Sequence, residues 1–201
     1  MNASTSPGKG ATTRELILEH AYELARHDGL EGLSIGALAL GVGMSKSGVF
    51  AHFGSREELQ LALLDATTRR FVDFVMRPAV TLPRGLTRLR AILERWCEWG
   101  RIHQSGCVLI SAVMEYDGRE NSALRTRVKQ QQSGWRDELI RAVRQSIDVG
   151  DLRADTHAEQ LAFEIYALLL ALHHDASLFG FDDAHRHTWA ALDRLFASYQ
   201  P

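Results

Sequence analysis

The chain has 201 residues, of which 45% are hydrophobic and 24% charged, which is ordinary for a soluble globular protein of one domain or two small ones. Its formal net charge of −2 gives no general attraction to nucleic acid, so any DNA contact must come from a local patch. Two cysteines, Cys97 and Cys107, and no apolar leader indicate free thiols in a reducing cytoplasm. The apolar stretch 161–172 carries Glu164 and is too short to span a bilayer, so no membrane association is expected.

The N-terminal residues 1–11 are rich in Ser, Thr, Gly and Pro and are predicted to be a disordered arm. Helix one is predicted to begin at the capping box of Thr12 and Glu15 and to end at Gly29. Its exposed side is acidic and should face away from DNA. Arg14, at the helix start, is placed to reach a phosphate.

Two short helical signals follow, and a glycine-containing turn joins them. Ser34 is a good N-cap, and apolar residues behind it recur at i, i+3, i+4 and i+7 as far as Val42. Gly41 and Gly43 supply the backbone freedom for a sharp turn, and Ser45 is a second N-cap. The pattern describes either a helix-turn-helix, whose second helix enters the DNA major groove, or an ordinary helical hairpin with glycine at its corner.

The residues VGMSKSGVFAHF at 42–53, followed by SREEL at 55–59, carry a more specific signal. They follow the pattern Ser-Lys, two residues, a hydrophobic residue, Tyr, one residue, His-Phe, and then Ser-Lys-Glu with a nearby Leu. The segment thereby resembles the DNA-binding head of the TetR/AcrR family of transcriptional regulators. Two positions depart from that pattern. Phe50 replaces the usual Tyr and has no hydroxyl for a phosphate, whereas Arg56 replaces the usual Lys and keeps its charge.

The resemblance and the exposed positions of the second helix assign DNA-binding roles. The residues expected nearest the bases are Lys46, Ser47 and Gly48, and those expected to hold phosphates are Arg14, Ser34, Ser45, His52 and Arg56. Phe50 is expected to pack on sugar or on a thymine methyl group. Val49 and Phe53 lie one turn apart and are expected to belong to the protein core.

Six more helices are predicted after this segment. They run from 55 to about 77, 85 to 103, 107 to 116, 122 to 148, from about 156, and from 183 to 198. The predicted fold class is therefore all-α, with about nine helices. The resemblance implies a DNA-binding domain of three helices at 1–54 and a helical ligand-binding and dimerisation domain at 55–201. Helix four connects the two without a flexible linker, so a shift of the body can tilt the head.

Aromatic and polar side chains on the body helices suit either a pocket for a small, mostly apolar ligand or plain core packing. The candidate ligand-binding residues are Trp96, Trp99, His103, Cys107, Ser111, Met114, Trp135 and Tyr166. Glu115 and Glu164 are carboxylates among apolar residues, and each suits either a cationic ligand or a buried Arg partner.

The last two helices are so apolar that they need a partner surface, which is either the body itself or a second subunit in a four-helix bundle. The resemblance favours the second subunit. The candidate dimer-interface residues are Leu161, Ile165, Leu168, Leu172, Trp189, Leu192 and Phe196. A twofold dimer would read a palindrome whose half-sites lie ~34 Å apart or a multiple of that distance.

Two classes of function remain. The first is a cytoplasmic, homodimeric transcriptional repressor that a small apolar effector releases from a palindromic operator in double-stranded DNA; an activator would use the same head. The second is a helical enzyme or ligand-binding protein whose N-terminal hairpin is only structural. No nucleophile–base pair, phosphate loop or metal-ligand set occurs at a telling spacing, which favours the first class. We therefore expect no catalytic residues, no metal and no cofactor.

Overall fold

A computed structural model describes residues 9–103, 106–120 and 122–201 of the chain. These residues form nine α-helices and no strand, which confirms the all-α prediction. The helices are α1 (Lys9–Gly32), α2 (Ile35–Gly41), α3 (Lys46–Phe53), α4 (Arg56–Ala79), α5 (Leu86–Ile102), α6 (Val108–Glu115), α7 (Ala123–Asp148), α8 (Ala158–Phe179) and α9 (Phe181–Tyr199).

The helices form two compact units. Unit 1 comprises the described residues of Met1–Thr68 together with Val108–Val128, and unit 2 comprises Arg69–Cys107 and Lys129–Pro201. Helix α4 runs through the division without a break. The predicted domain boundary between residues 54 and 55 is a functional division and stays a prediction, because packing groups the first half of α4 and all of α6 with the N-terminal helices.

The core of unit 1 is built from the apolar stripes of its helices. Ile17 of α1, Leu38 of α2 and Val49 of α3 are fully buried, and Phe53 is 4% exposed. Their cluster also includes Leu63 of α4 and apolar residues of α6 and α7. The prediction that Val49 and Phe53 are core residues is therefore confirmed.

Three predictions about helix ends and faces in unit 1 were wrong. Helix α1 begins at Lys9, so residues 9–11 are helical and Thr12 lies inside the helix; residues 1–8 of the predicted arm lie outside the described residues. Gly29 does break α1, with φ 72°, but a further helical turn follows it. The nearly all-apolar sequence of α6 predicts a buried helix, but Met114 is 75% exposed.

Unit 2 packs α5, α8 and α9 with most of α7. Buried aliphatic side chains such as Leu89 of α5, Ile165 of α8 and Leu192 of α9 fill its interior. The start of α5 is closed by Asp151, whose carboxylate accepts the N–H of Leu86 at 2.8 Å. This contact satisfies a donor that the first helical turn leaves without a backbone partner.

Helix α8 is longer than the apolar stretch 161–172 from which it was recognised. Its 22 residues are long and apolar enough to cross a membrane by length and composition alone. A single helix of this kind is weak evidence for a membrane span, because the core helix of a soluble protein has the same properties. Leu161, Ile165 and Leu169 of α8 are buried within unit 2, whereas Phe163 and Phe179 are exposed, so α8 buries one face and not its whole surface.

Candidate nucleic-acid interface

The turn between α2 and α3 is short and is held by backbone hydrogen bonds. Ser34 caps α2, its hydroxyl oxygen accepting the N–H of Ala37 at 3.3 Å. After α2 the chain turns at Gly43, whose φ of 66° favours glycine. The N–H of Met44 then donates to the carbonyl of Ala39 at 2.9 Å, which fixes the start of α3 relative to α2.

The first turn of α3 presents the residues that sequence reasoning placed at the bases. Ser45 is the N-cap, and its hydroxyl oxygen accepts the N–H of Gly48 at 3.1 Å. Lys46 and Ser47 are exposed. A Cβ at Gly48 would lie 3.1 Å from the Met44 side chain and 3.3 Å from the Ser45 hydroxyl, so a larger residue would crowd the cap. Glycine here leaves an open surface and an intact cap.

The opposite side of α3 anchors the helix. Val49 and Phe53 point into the core of unit 1, and the Arg14 guanidinium lies over the Phe53 ring, 4.7 Å from its centroid. Arg14 is thus held against the end of α3 by a cation–π contact. Phe50 and His52 are half-buried beside these anchors.

Arg56 is engaged by groups of unit 1 that sequence reasoning missed. Its guanidinium donates to the backbone carbonyl of Glu31 and lies 3.8 Å from the Glu31 carboxylate. That carboxylate also accepts the Tyr116 hydroxyl and the Arg119 guanidinium, each at 2.8 Å. The three partners lie 25 to 88 positions from Glu31 in the chain, so no local pattern could have indicated the network.

Six of the eight candidate ligand-binding residues lie in unit 2, where four of them join an aromatic cluster. We call the rings of Phe71, Trp96, Trp99, Trp135 and Tyr166 the aromatic cluster. Phe71 is its centre: its ring centroid lies 4.8 Å from that of Trp135 and 5.5 Å from that of Trp99, with nearly perpendicular planes. Trp96 joins Trp135 to Tyr166 at centroid distances of 5.0 and 5.7 Å.

The aromatic cluster contains two hydrogen-bond donors without an acceptor. The indole nitrogens of Trp99 and Trp135 are buried and have no hydrogen-bond partner among the described residues. A buried N–H without an acceptor is costly, so these two donors mark the region as suited to an acceptor from outside. The Tyr166 hydroxyl, in contrast, donates to the side-chain oxygen of Gln132 at 2.7 Å.

The remaining ligand candidates are placed differently. His103 stacks on Trp99 with a centroid distance of 3.9 Å, and Cys107 is buried in unit 2. Ser111 and Met114 belong to unit 1, where the Ser111 hydroxyl donates locally to the carbonyl of Val108 and the Met114 side chain is exposed. The ligand-binding role of all eight residues stays a prediction.

The seven candidate dimer-interface residues are mostly core residues of the protomer. Five of them are buried within unit 2: Leu161, Ile165, Leu172, Leu192 and Phe196. They pack α8 against α9 and leave no side-chain surface for another chain. Leu168 borders an exposed groove of about 550 Å³, whose full lining is Phe163, Glu164, Ala167, Leu168, Ala191, Arg194 and Leu195. These five residues are thus buried without a second chain, and the dimer-interface role of all seven stays a prediction.

A capped recognition helix, an exposed Lys46 and a buried anchoring face define the N-terminal unit as a helix-turn-helix of the DNA-binding transcriptional regulators. Two family models agree with this class. The model of bacterial regulatory proteins of the tetR family matches residues 17–63, and the model of the tetracyclin repressor-like C-terminal domain matches residues 85–192. The chain belongs to the TetR family of transcriptional regulators.

Solved structures share the fold over nearly the whole chain. A TetR-family regulator from Cytophaga hutchinsonii has a TM-score of 0.82 at 20% identity, covering 97% of this chain and 98% of its own. A TetR regulator from Chloroflexus aurantiacus J-10-FL has a TM-score of 0.82 at 24% identity, with 95% and 97% covered. AibR, in complex with isovaleryl coenzyme A and operator DNA, has a TM-score of 0.71 at 19% identity, with 92% and 98% covered. No curated protein matches the chain significantly.

Proposed function

We propose that the protein is a homodimeric repressor that binds a palindromic operator and leaves it when a small, mostly apolar ligand binds in unit 2. The DNA-binding part of this proposal rests on the first turn of α3. There Lys46 and Ser47 are exposed on a helix whose start is capped by Ser45 and whose other face is buried. Such a helix enters the major groove with its N-terminal residues toward the base edges.

The other DNA contacts follow from the surroundings of α3. Ser34 caps α2, Ser45 caps α3, and His52 lies in the last turn of α3; all three suit phosphate contacts, as does Arg14 beside Phe53. If Arg56 binds a DNA phosphate, it must give up its contact with Glu31. Phe50 packs on sugar or on a thymine methyl group.

A second copy of the chain is the partner we propose for the exposed groove on α8 and α9. Phe163, which borders this groove, is 59% exposed, and the small residues Ala167 and Ala191 allow close approach of another helix. Two copies related by a twofold axis would bury these apolar surfaces in a four-helix bundle. They would also carry two recognition helices to the two halves of a palindrome.

The effector is proposed to bind at the aromatic cluster. Large apolar rings with the two unpaired indole N–H groups suit a molecule that is mostly apolar but offers a hydrogen-bond acceptor. The structure of AibR with isovaleryl coenzyme A and operator DNA gives a precedent in a protein of the same fold.

Because α4 is continuous between the units, a shift of α4 in unit 2 can reach the helix-turn-helix. The coupling cannot exceed the difference in ligand affinity between the two states. The protein would act in the cytoplasm, where DNA is accessible, without enzymatic activity.

The first test is selection of bound sequences from a random duplex pool by purified protein at two salt concentrations. We expect one palindromic site. Binding that is salt-sensitive but blind to sequence, or no binding, would contradict the proposal.

The selected site then allows a test of the contact residues. The double substitution Lys46→Ala, His52→Ala should weaken binding by about tenfold or more and lower the salt dependence, because a positively charged contact is lost. The matched control is Lys129→Ala, His174→Ala, which removes the same residue types from exposed positions of unit 2 and should leave affinity unchanged. Equal affinities of the two variants, both folded, would contradict the assignment.

A further inference from the structure

Residues 29–34 comprise the kink near the end of α1, its last turn and the start of the path into α2, and they lead the chain into the helix-turn-helix. Gly29 has φ 72° and ψ 175°, which ends the regular part of α1, and helical geometry resumes at Leu30. At such a restart the first peptide N–H groups have no partner within the helix. A side chain at position 29 would be strained by the φ of 72°, and its Cβ would lie 2.4 Å from a Glu115 carboxylate oxygen, so the carboxylate would have to move.

Glu115, the last residue of α6, provides the missing acceptors. The N–H of Leu30 donates to its Oε1 at 3.2 Å, and the N–H of Glu31 donates to its Oε2 at 2.8 Å. A carboxylate that accepts two backbone donors at the start of a helical turn makes charge-assisted hydrogen bonds and faces the positive end of the peptide dipoles. The cationic ligand or buried Arg that the sequence suggested for Glu115 is thus replaced by two backbone donors. We call this pair of hydrogen bonds the Glu115 clasp.

Contacts from α4 and from the end of α6 hold the same corner. The Gln60 side-chain amide donates to the carbonyl of Leu30 at 2.7 Å, and both residues are buried. The Tyr116 hydroxyl donates to the Glu31 carboxylate at 2.8 Å. The corner that precedes α2 is therefore fixed by hydrogen bonds from two helices rather than by its own sequence.

We propose that Glu115 is a positioning residue for DNA binding. The Glu115 clasp fixes the Leu30–Glu31 corner, and this corner sets where α2 and α3 lie within unit 1. Glu115 contacts neither base nor phosphate in this scheme, and it acts only through the backbone of the corner. The inference rests on the proposed DNA-binding function.

The substitution Glu115→Gln gives a test in which the change of charge and the loss of positioning have opposite effects on DNA affinity. Removing a negative charge should by itself strengthen binding to DNA. The amide, however, places a donor where the clasp needs an acceptor. We expect about tenfold weaker binding to the selected palindrome, which is close to the lower end of what one hydrogen bond to a charged group contributes. Fluorescence anisotropy at fixed salt measures the affinity, and amide hydrogen exchange at Leu30 and Glu31 measures the clasp directly.

The matched control is Glu94→Gln on the exposed side of α5 in unit 2, which makes the same charge change away from the corner. It should bind DNA as tightly as the unmodified protein or slightly more tightly. Glu115→Asp is the second variant, because it keeps the charge but withdraws the carboxylate by one methylene. It should weaken binding and speed exchange at Leu30 and Glu31 while keeping the fold, which thermal melting checks.

Each outcome decides the matter. Faster exchange at Leu30 and Glu31 together with weaker DNA binding supports the proposal. DNA binding as tight as that of Glu94→Gln, in spite of faster exchange, overturns the positioning role. Unchanged exchange at the two amides overturns the Glu115 clasp itself. If the unmodified protein selects no sequence, the proposed DNA-binding function fails, and the exchange measurement still decides whether the clasp exists.

Discussion

The Cys97 thiol shows how burial controls the chemistry of a single residue. Cys97 is 2% exposed within unit 2, and burial, reinforced by the charge of Glu94, raises the pKa of its thiol to about 12. Since the thiolate is the nucleophile, the folded protein holds about a thousandfold less reactive form at pH 8 than an unfolded chain does. In a Cys107→Ser variant we therefore expect iodoacetamide to modify Cys97 very slowly at pH 8, as mass spectrometry would measure.

The same variant in denaturant is the reference for that experiment, because unfolding returns the thiol to its ordinary pKa. Modification should be fast there and should slow again after refolding. Equal rates in the folded and unfolded states would contradict the burial of Cys97. A slow rate would also argue against a thiol switch at this position.

Individual residues were predictable from the sequence where their neighbours are close in the chain. Helical spacing was enough to place Val49 and Phe53 in the core, and side-chain chemistry was enough to recognise Ser45 as a cap. The hydrogen-bond partners of Glu31 and Glu115 could not be predicted from the sequence. The hydrogen bonds of Glu31 and Glu115 with each other's segments join residues more than 80 positions apart, and only packing of α6 near α1 brings them together.

At the scale of an element, the start of α3 carries two functions that one substitution can separate. Ser45 caps the helix and is also a proposed phosphate contact. Ser45→Ala should lower the free energy of unfolding by about 1 kcal/mol, because the N–H of Gly48 loses its acceptor. Ser45→Asp keeps an acceptor at the cap and should retain stability, yet its negative charge should repel the DNA backbone.

Chemical denaturation and binding to the selected palindrome measure these two effects independently. We expect Ser45→Asp to be as stable as the unmodified protein but at least about tenfold weaker in DNA binding. The control is Ser55→Asp at the cap of α4, where the hydroxyl oxygen of Ser55 accepts the N–H of Glu58 at 3.1 Å. If Ser45→Asp bound DNA normally, the position would be distant from phosphate and the proposed contact would fail.

The bounds of the helices were largely predictable from the sequence, whereas the surfaces that cover their apolar faces were less so. Periodicity and glycine or proline breaks located all nine helices of the described residues to within a few positions at most ends. Periodicity also placed Leu161 and Ile165 on the apolar face of helix eight and Leu192 on that of helix nine, but it could not say which surface covers these faces. All three residues are buried within unit 2, so their burial needs no second chain.

For the whole molecule, the proposed regulation needs two recognition helices at a fixed separation, which makes the dimer the decisive assembly. The substitution Ala167→Arg places a long charged side chain in the exposed groove of α8 and α9. We expect it to convert a dimer into monomers in sedimentation velocity and to weaken palindrome binding by about a hundredfold, because the second head no longer binds at high effective concentration. The control Ala154→Arg lies at an exposed position outside the groove and should remain dimeric with full affinity. A dimeric Ala167→Arg protein would move the interface to another surface, and a monomeric unmodified protein would refute the homodimer itself.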